Sequence, residues 1–456
     1  MTTAPAPTPS TPFGVNDLKK LGTGLLLGLL AALITGPVQG TADAPTRAFR
    51  GAILDGRVVL YLLLGLAIGA VLVAKDRGLL DNRLPKVQPV VAVQNAMRND
   101  RRLFWAALVL AALFAILFPL TLEPFWQRVL ASQIAIYVLL ALGLNVVVGL
   151  AGLLDLGYIA FFAIGAYTTA YFTGKLPVEP PFILNPFFVV PFAVLIAALS
   201  GVVLGGPTLR LRGDYLAIVT LGFGEIVRIL LVNGDKAPFT EANITNGPRG
   251  AAGIPHPSID LGFWSYDWKL GQLPYYYLLL VVIIIVVILF RNLEESRVGR
   301  AWTAIREDEV AAGASGVPTV KFKLLAFSIG ASTSGLAGVF YATNIGFIAP
   351  DQFLFLASIL VLTMVIFGGM GSIIGVIAGA AVLQWLPNAL RDYVAPEDRY
   401  IYFGVLLVIM MIFRPQGLIP SKRRARELKM SEAGIGGADS LGSPTGTAGS
   451  SKGAAT

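Results

Sequence analysis

Two ionisable side chains, Glu225 and Arg228, stand three residues apart inside the apolar run 214–232. On a helix that spacing puts them on one face, within reach of mutual neutralisation. Charged groups inside a bilayer cost about 2–4 kcal/mol each even on insertion scales, so they face a bundle interior or a wet cavity. The pair therefore reads either as a structural ion pair or as part of the inner mouth of a pathway or of its conformational change. A second constellation lies at Asn145 and Asp155, which stand at the Gly149–Gly157 turn just before Tyr158. Those glycines can let the backbone leave helical geometry and point helix termini at a zwitterion. For Asp155 the other reading is a helix cap.

The third constellation is the polar segment 296–327, SRVGRAWTAIREDEVAAGASGVPTVKFKLLAF. Arg300, Ala304 and Asp308 share one face at four-residue spacing, and Glu309, Ala312 and Gly316 share another. Together with Arg306 and Ala311 they predict one short amphipathic helix with small contact residues, ended by Gly316-Val317-Pro318. Joined rigidly to the next apolar run, such a helix can pass a force from a soluble partner into a bundle.

Tools of enzymes and motors are missing. The sequence has no phosphate-cradling G-x-x-x-x-G-K-[ST] loop, no H-E-x-x-H pair and no G-x-S-x-G elbow. No ATP hydrolysis, catalytic residue, metal site or cofactor is therefore expected in this chain. With no cysteine, thiol chemistry is excluded, and the single histidine, His256, lies between two prolines in a polar loop with no partner histidine.

The elements that must position these residues follow from composition. Of 456 residues, 55% are hydrophobic and only 14% charged, and the mean hydropathy is +0.72, so the chain needs lipid as solvent. Candidate spans fall near 21–37, 57–74, 103–122, 128–149, 158–174, 187–205, 214–232, 274–290, 322–344, 354–370, 373–390 and 400–413. The first is expected to be retained and not cleaved as a signal peptide, because a Thr/Pro/Ala-rich leader precedes it and many similar runs follow. The fold class is an all-α polytopic membrane protein with about 10–12 transmembrane helices, and the segment 149–174 and the last three passes are open to being broken or re-entrant.

With the N-terminus inside, 24 of the lysines and arginines fall in inward segments and ten in outward ones, which orients both termini to the cytoplasm. The basic run Lys422, Arg423, Arg424, Arg426 and Lys429 then reads as a topogenic anchor and not a nucleic-acid patch. Residues 1–20 and the Gly/Ser-rich end of 421–456 are expected to be disordered tails. Residues 21–102 form a two-helix extension with a basic cytoplasmic linker, and 103–420 a denser core. Trp264, Tyr266 and Trp268 in the outward loop mark either a headgroup layer or a partner surface. Two small-residue ladders, Gly330, Ser334, Gly338, Ala342 and Gly371, Gly375, Gly379, predict close-packed seams, either static or sliding during gating.

Glu309-x-Ala311-Ala312-x-x-x-Gly316 resembles the E-A-A-x-x-x-G coupling motif of bacterial ABC-importer permeases, with Val310 where that motif has alanine. The strings GLNVVVGLAGLLDLGYIAFFAIGAY (143–167), GDYLAIVTLGFGEIVRILLVN (213–233), GRAWTAIREDEVAAGASGV (299–317) and FGGMGSIIGVIAGA (367–380) are similar, in order, to the M-type permease of branched-chain amino acid importers. The segment 245–254 departs from it, being longer than the T-G-G-x-x-G-[IL] usual there. The resemblance implies a bacterial inner-membrane permease subunit paired with a second homologous permease and two cytoplasmic ATPase subunits. A periplasmic amino-acid-binding protein would deliver leucine, isoleucine or valine, and ATP would be used only by the partners. The contact to those ATPases would run through Arg300, Arg306, Glu309, Ala311, Ala312 and Gly316, within the coupling segment 296–318. Importers of urea, short amides or other amino acids share the pattern. An ion-coupled secondary transporter is the reading from a different class, weakened because Glu225 and Arg228 can neutralise each other.

Overall fold

The computed structural model describes residues 66, 115–208, 214–236, 243–260, 265–268, 273–389, 391, 404, 407, 408, 410 and 417–419. The chain divides into two compact units, Met1–Leu120 with Leu390–Phe413 and Thr121–Ala389 with Arg414–Thr456. The first contributes a helical turn and 3-10 turn at 115–120 and a few isolated residues; the second carries the architecture below. Apart from those residues, the expected spans 21–37, 57–74, 103–122 and 400–413, the linker and both tails lie outside the described residues, as does Trp264.

The apolar runs become helices α1 (Pro124–Leu150), α2 (Ile159–Phe172), α3 (Pro186–Thr208), α4 (Asp214–Val232), α5 (Leu273–Glu295), α6 (Arg297–Glu307), α7 (Glu309–Ala314), α8 (Thr319–Ile345), α9 (Phe355–Gly368) and α10 (Ile373–Ala389). Among the described residues five helices, α1, α3, α4, α5 and α8, are long and apolar enough to cross a membrane. The protein is a multi-pass, all-α membrane protein. Strand content is confined to short pairs. β1 (Ala251–Ala252) lies antiparallel to β4 (Phe347–Ile348), and β2 (Ser258–Asp260) to β3 (Ser265–Asp267).

α1 and α8 are mostly buried, whereas most residues of α3, α4 and α5 are not, so α1 and α8 form the centre of this unit. Helices apolar all round belong in such a centre. α8 can be central because its small residues admit backbone. A Cβ at Gly338 would collide with the Phe162 carbonyl and reach Ala166 N at 2.7 Å, and one at Gly201 on α3 would lie 2.7 Å from the Ala331 Cβ. At Gly330 a Cβ would strike the Val147 side chain of α1. The second ladder has a different partner. Gly375 and Gly379 of α10 press on Gly368 of α9, and Gly371 lies in the turn before α10 with φ 79°. The two ladders are thus two separate seams.

α2 and α9 have 14 residues each, about 21 Å, short of the roughly 30 Å hydrocarbon core. Their N-terminal ends meet where Ser358 Oγ accepts from Ile159 N at 3.0 Å, a buried bond. Each is therefore a short helix starting within the bundle. A non-helical stretch, 151–158, leads into α2, and the turn Pro350–Phe353 leads into α9.

The Gly338 seam yields a test. Gly338→Leu should destabilise the folded protein by at least about 2 kcal/mol, because the overpacked atoms meet backbone that cannot swing aside. Gly206→Leu, where nothing lies within 4 Å of a Cβ, should be nearly neutral. Thermal unfolding of both variants in detergent checks the contrast.

Candidate functional site

The segment between α5 and α8 forms two helices. Ser296 caps α6, its hydroxyl accepting from Val298 N and Gly299 N. Asp308 then leaves helical geometry at φ −153° and ψ 109°, closing α6 and capping α7 through Val310 N and Ala311 N. The expected single helix is corrected here: Asp308 is the break, so Arg300, Ala304 and Asp308 do not run as one continuous face. A short carboxylate that binds the next turn's amides competes with helix continuation. Gly316 ends α7 with φ 86°, the left-handed position glycine takes at helix ends.

Three contacts lock this two-helix module to the bundle. Trp302, fully buried, donates from Nε1 to the Phe322 carbonyl at 2.7 Å. Glu309 pairs with Lys323 at 2.5 Å, where Lys323 is only 3% exposed on the first turns of α8. Arg306 donates to the Gly149 carbonyl at the end of α1, with its side chain laid against Gly152, whose φ is 72°. Ala312 is buried, whereas Ala311, Gly316 and Arg300 are exposed, and Arg300 donates to the Glu295 carbonyl at 3.0 Å. The exposed side of the module includes Arg300, Val310, Ala311 and Gly316, while Glu309 and Ala312 face inward and Arg306, itself exposed, reaches the Gly149 carbonyl with its guanidinium.

Arg306 leads directly to the second constellation. The last turn of α1, Asn145–Leu150, is π-helical, and Asn145 Oδ1 accepts from Gly371 N at 2.8 Å. A Cβ at Gly149 would strike that amide, so glycine is required for the crossing. Beyond the break, Asp155 is buried with Oδ1 accepting from Gly157 N at 2.9 Å, and Leu156 N donates to Thr220 Oγ1 at 3.0 Å. A Cβ at Gly157 would run into the Thr220 carbonyl of α4. Tyr158, fully buried, donates to the Gly330 carbonyl at 3.2 Å, and Ser334 donates to the Tyr158 carbonyl at 3.3 Å. Asn145, Asp155, Gly157 and Tyr158 therefore hold the break together as packed polar groups.

On α4, Arg228 Nη1 donates to Glu225 Oε1 at 2.8 Å as the spacing predicts. Gly224 packs on Gly157, which puts this pair next to the break. Several partners escaped the sequence reading: Lys323, Trp302, Thr220, Ser358, Gly371 and Asp351. Lys323 had a signal, a lysine two residues from Lys321 at the entry to an apolar run. His256 adds a bond from Nδ1 to the Thr343 carbonyl at 2.7 Å, and Trp268 packs edge-on to Phe187 with centroids 5.2 Å apart, both ordinary loop anchoring. Among the described residues no group of metal-ligating side chains is present.

Residues 129–414 match the family described as the branched-chain amino acid transport system permease component. The chain is 41% identical over 328 residues to the high-affinity branched-chain amino acid transport system permease protein LivM of Salmonella typhimurium, covering 67% of this chain and 72% of that one. A LivM of Methanocaldococcus jannaschii named as probable is 27% identical over 306 residues, 61% of this chain and 84% of that protein. The permease protein LivH of Escherichia coli is 32% identical over 124 residues, 27% of this chain and 40% of LivH. No solved structure matches the chain significantly.

The buried pair predicts an asymmetric mutational response. Glu309→Gln leaves the Lys323 ammonium buried without its counter-charge and should cost roughly 2–3 kcal/mol, below the fully buried case because Glu309 is partly exposed. Glu309→Leu combined with Lys323→Met should recover most of that loss. Unfolding midpoints of the three proteins in detergent check the order.

Proposed function

The chain belongs to the family of branched-chain amino acid transport system permease components, and from that membership we propose that it is one of two permease subunits of an ATP-driven importer of leucine, isoleucine and valine. The second subunit would be a homologous permease, since the chain is also similar to LivH. Two ATPase subunits and a substrate-binding protein complete the assembly. Family membership makes the chain a permease and not itself an enzyme, and ATP is bound and hydrolysed by the partners alone, with no cofactor on this chain.

The observation that carries the reading is the α6–α7 module. It stands at the end of the bundle where α5 ends and α8 begins, tied rigidly to α8 by Glu309–Lys323 and Trp302–Phe322 and to α1 by Arg306. A docked ATPase would press on Arg300, Val310, Ala311 and Gly316. Glu309 and Arg306 transmit that displacement inward, Arg306 from an exposed position where the partner can also reach it. The 24-to-10 distribution of basic residues supports a cytoplasmic position for this end and for both termini, and the family supports a bacterial inner membrane.

Two measurements test this function. Proteoliposomes holding the chain with its permease partner, the ATPases and the binding protein should take up leucine when ATP is present on the ATPase side, whereas the purified chain alone should show no nucleotide turnover. In that system Arg306→Ala should leave ATPase association intact yet lower uptake about tenfold, the loss of one charge-assisted hydrogen bond. Turnover by the isolated chain, or unchanged uptake by the Arg306 variant, would contradict the proposal.

The orientation is tested in the cysteine-free background. Lys86→Cys and Arg424→Cys should resist an impermeant thiol reagent applied to intact spheroplasts, and Ala252→Cys should be labelled readily.

A further inference from the structure

The Glu225–Arg228 pair has a third member that is distant in sequence. Asp351 lies in the turn Pro350–Phe353 that leads into α9, and its Oδ1 stands 3.8 Å from Arg228 Nη2. The charges are unequally covered. The Arg228 side chain is 25% exposed, Glu225 43% and Asp351 80%, and Arg228 Nε is buried without a hydrogen-bond partner. One guanidinium thus sits between two accessible carboxylates and keeps an unused donor.

Position sharpens the problem. Arg228 and Glu225 precede Val232, the last residue of α4, by four and seven residues, or about 6 and 10 Å along the axis. The outward face of α4 is otherwise apolar, with Ile218, Val219, Ile226, Ile229 and Leu230 all exposed. The charged pair flanks this stripe, at the seam between α4 and the Pro350–Phe353 turn. Exposed ionised groups at that depth cannot face hydrocarbon, so the seam borders a wet space or a polar partner.

A free amino acid carries the complementary pattern. Its ammonium can pair with the accessible carboxylates of Glu225 or Asp351, and its carboxylate can approach the exposed part of the Arg228 guanidinium, whose Nε is buried behind it. The start of α9 lies beside Asp351 and has no side-chain cap on its first amides, which adds positive potential for the same carboxylate. An aliphatic side chain would then lie along Ile226 and Ile229. We propose that Glu225, Arg228 and Asp351 form a subsite on the translocation pathway that takes the zwitterionic head of an α-amino acid. It lies toward the end of the bundle opposite α6 and α7, the side from which a binding protein would release its cargo. This subsite rests on the reading of the chain as an amino acid permease, and it adds the residues that contact the substrate.

The test uses the reconstituted complete importer at matched membrane expression, with leucine uptake measured per ATP hydrolysed. Arg228→Gln should lower that ratio about tenfold, as expected when a partly buried charge-assisted contact to substrate is lost. Asp351→Asn, in an exposed turn with no packing role, should lower it about threefold, the effect of a more solvated contact. The swap of Glu225→Arg with Arg228→Glu preserves an internal ion pair while inverting its field, and it should not restore the ratio. Restoration by the swap, or a wild-type ratio in both single variants, would overturn the subsite and leave a structural pair or a contact to the second permease. A wild-type importer that takes up no amino acid at all would instead bring down the permease reading and the subsite with it.

Discussion

A backbone that leaves helical geometry inside a membrane must find all its hydrogen-bond partners within the protein, because hydrocarbon offers none. In this chain that constraint falls on 151–158, the break between α1 and α2. Ala151 N and Leu153 N turn back onto the Val146 and Val147 carbonyls of α1. Leu156 N uses Thr220 of α4, Gly157 N uses Asp155, and Ile159 N uses Ser358 of α9. The Tyr158 carbonyl takes Ser334 of α8 and the Gly149 carbonyl takes Arg306 of α6. Satisfying one irregular stretch thereby ties five helices into a single polar hub.

That hub gives the α6–α7 module a mechanical connection. Glu309 and Lys323 form a partly desolvated pair, and such pairs fix orientation more surely than they add net stability. Trp302 adds a buried indole hydrogen bond to the same turn of α8. A displacement of the module consequently reaches α8 at its first turns and the hub through Arg306. α8 cannot accommodate it by sliding locally, since its glycines meet backbone of α2 and side chains of α1 and α3. Packed interfaces of this kind move as units or not at all.

Much of this was legible in the sequence, for stated reasons. Eight expected spans coincide with helices because uninterrupted apolar runs have few alternatives in lipid, and 214–232 reproduces α4 to the residue. The end of α7 at Gly316 and the Glu225–Arg228 pair follow from local chemistry. The break at Asp308 was readable as an aspartate cap but was masked by a four-residue periodicity running through it. Ser358–Ile159 and Asp351–Arg228 join elements whose proximity depends on how the short helices α2 and α9 enter the bundle, and Lys323–Glu309 depends on how α7 folds back on α8; no local pattern encodes either. The inward orientation of Glu309 belongs to the same class, since a carboxylate in a polar segment looks solvated until a buried lysine is found beside it.

The uneven burial of the helices limits where conformational change can occur. α1 and α8 are enclosed, and the α8 seam brings peptide groups together where no intermediate separation keeps the contacts. α4 is the least buried of the five membrane-length helices described and touches the hub through Thr220 and the Gly157–Gly224 crossing. An element with few buried contacts opens at lower free energy than one at the centre. α4 also carries Glu225 and Arg228, whose partner Asp351 stands on the separate segment leading into α9. A shift of α4 against that segment breaks one long ion pair and one hydroxyl bond, whereas a comparable shift of α8 would part whole rows of backbone contacts. The charged seam therefore lies along the boundary that costs least to move.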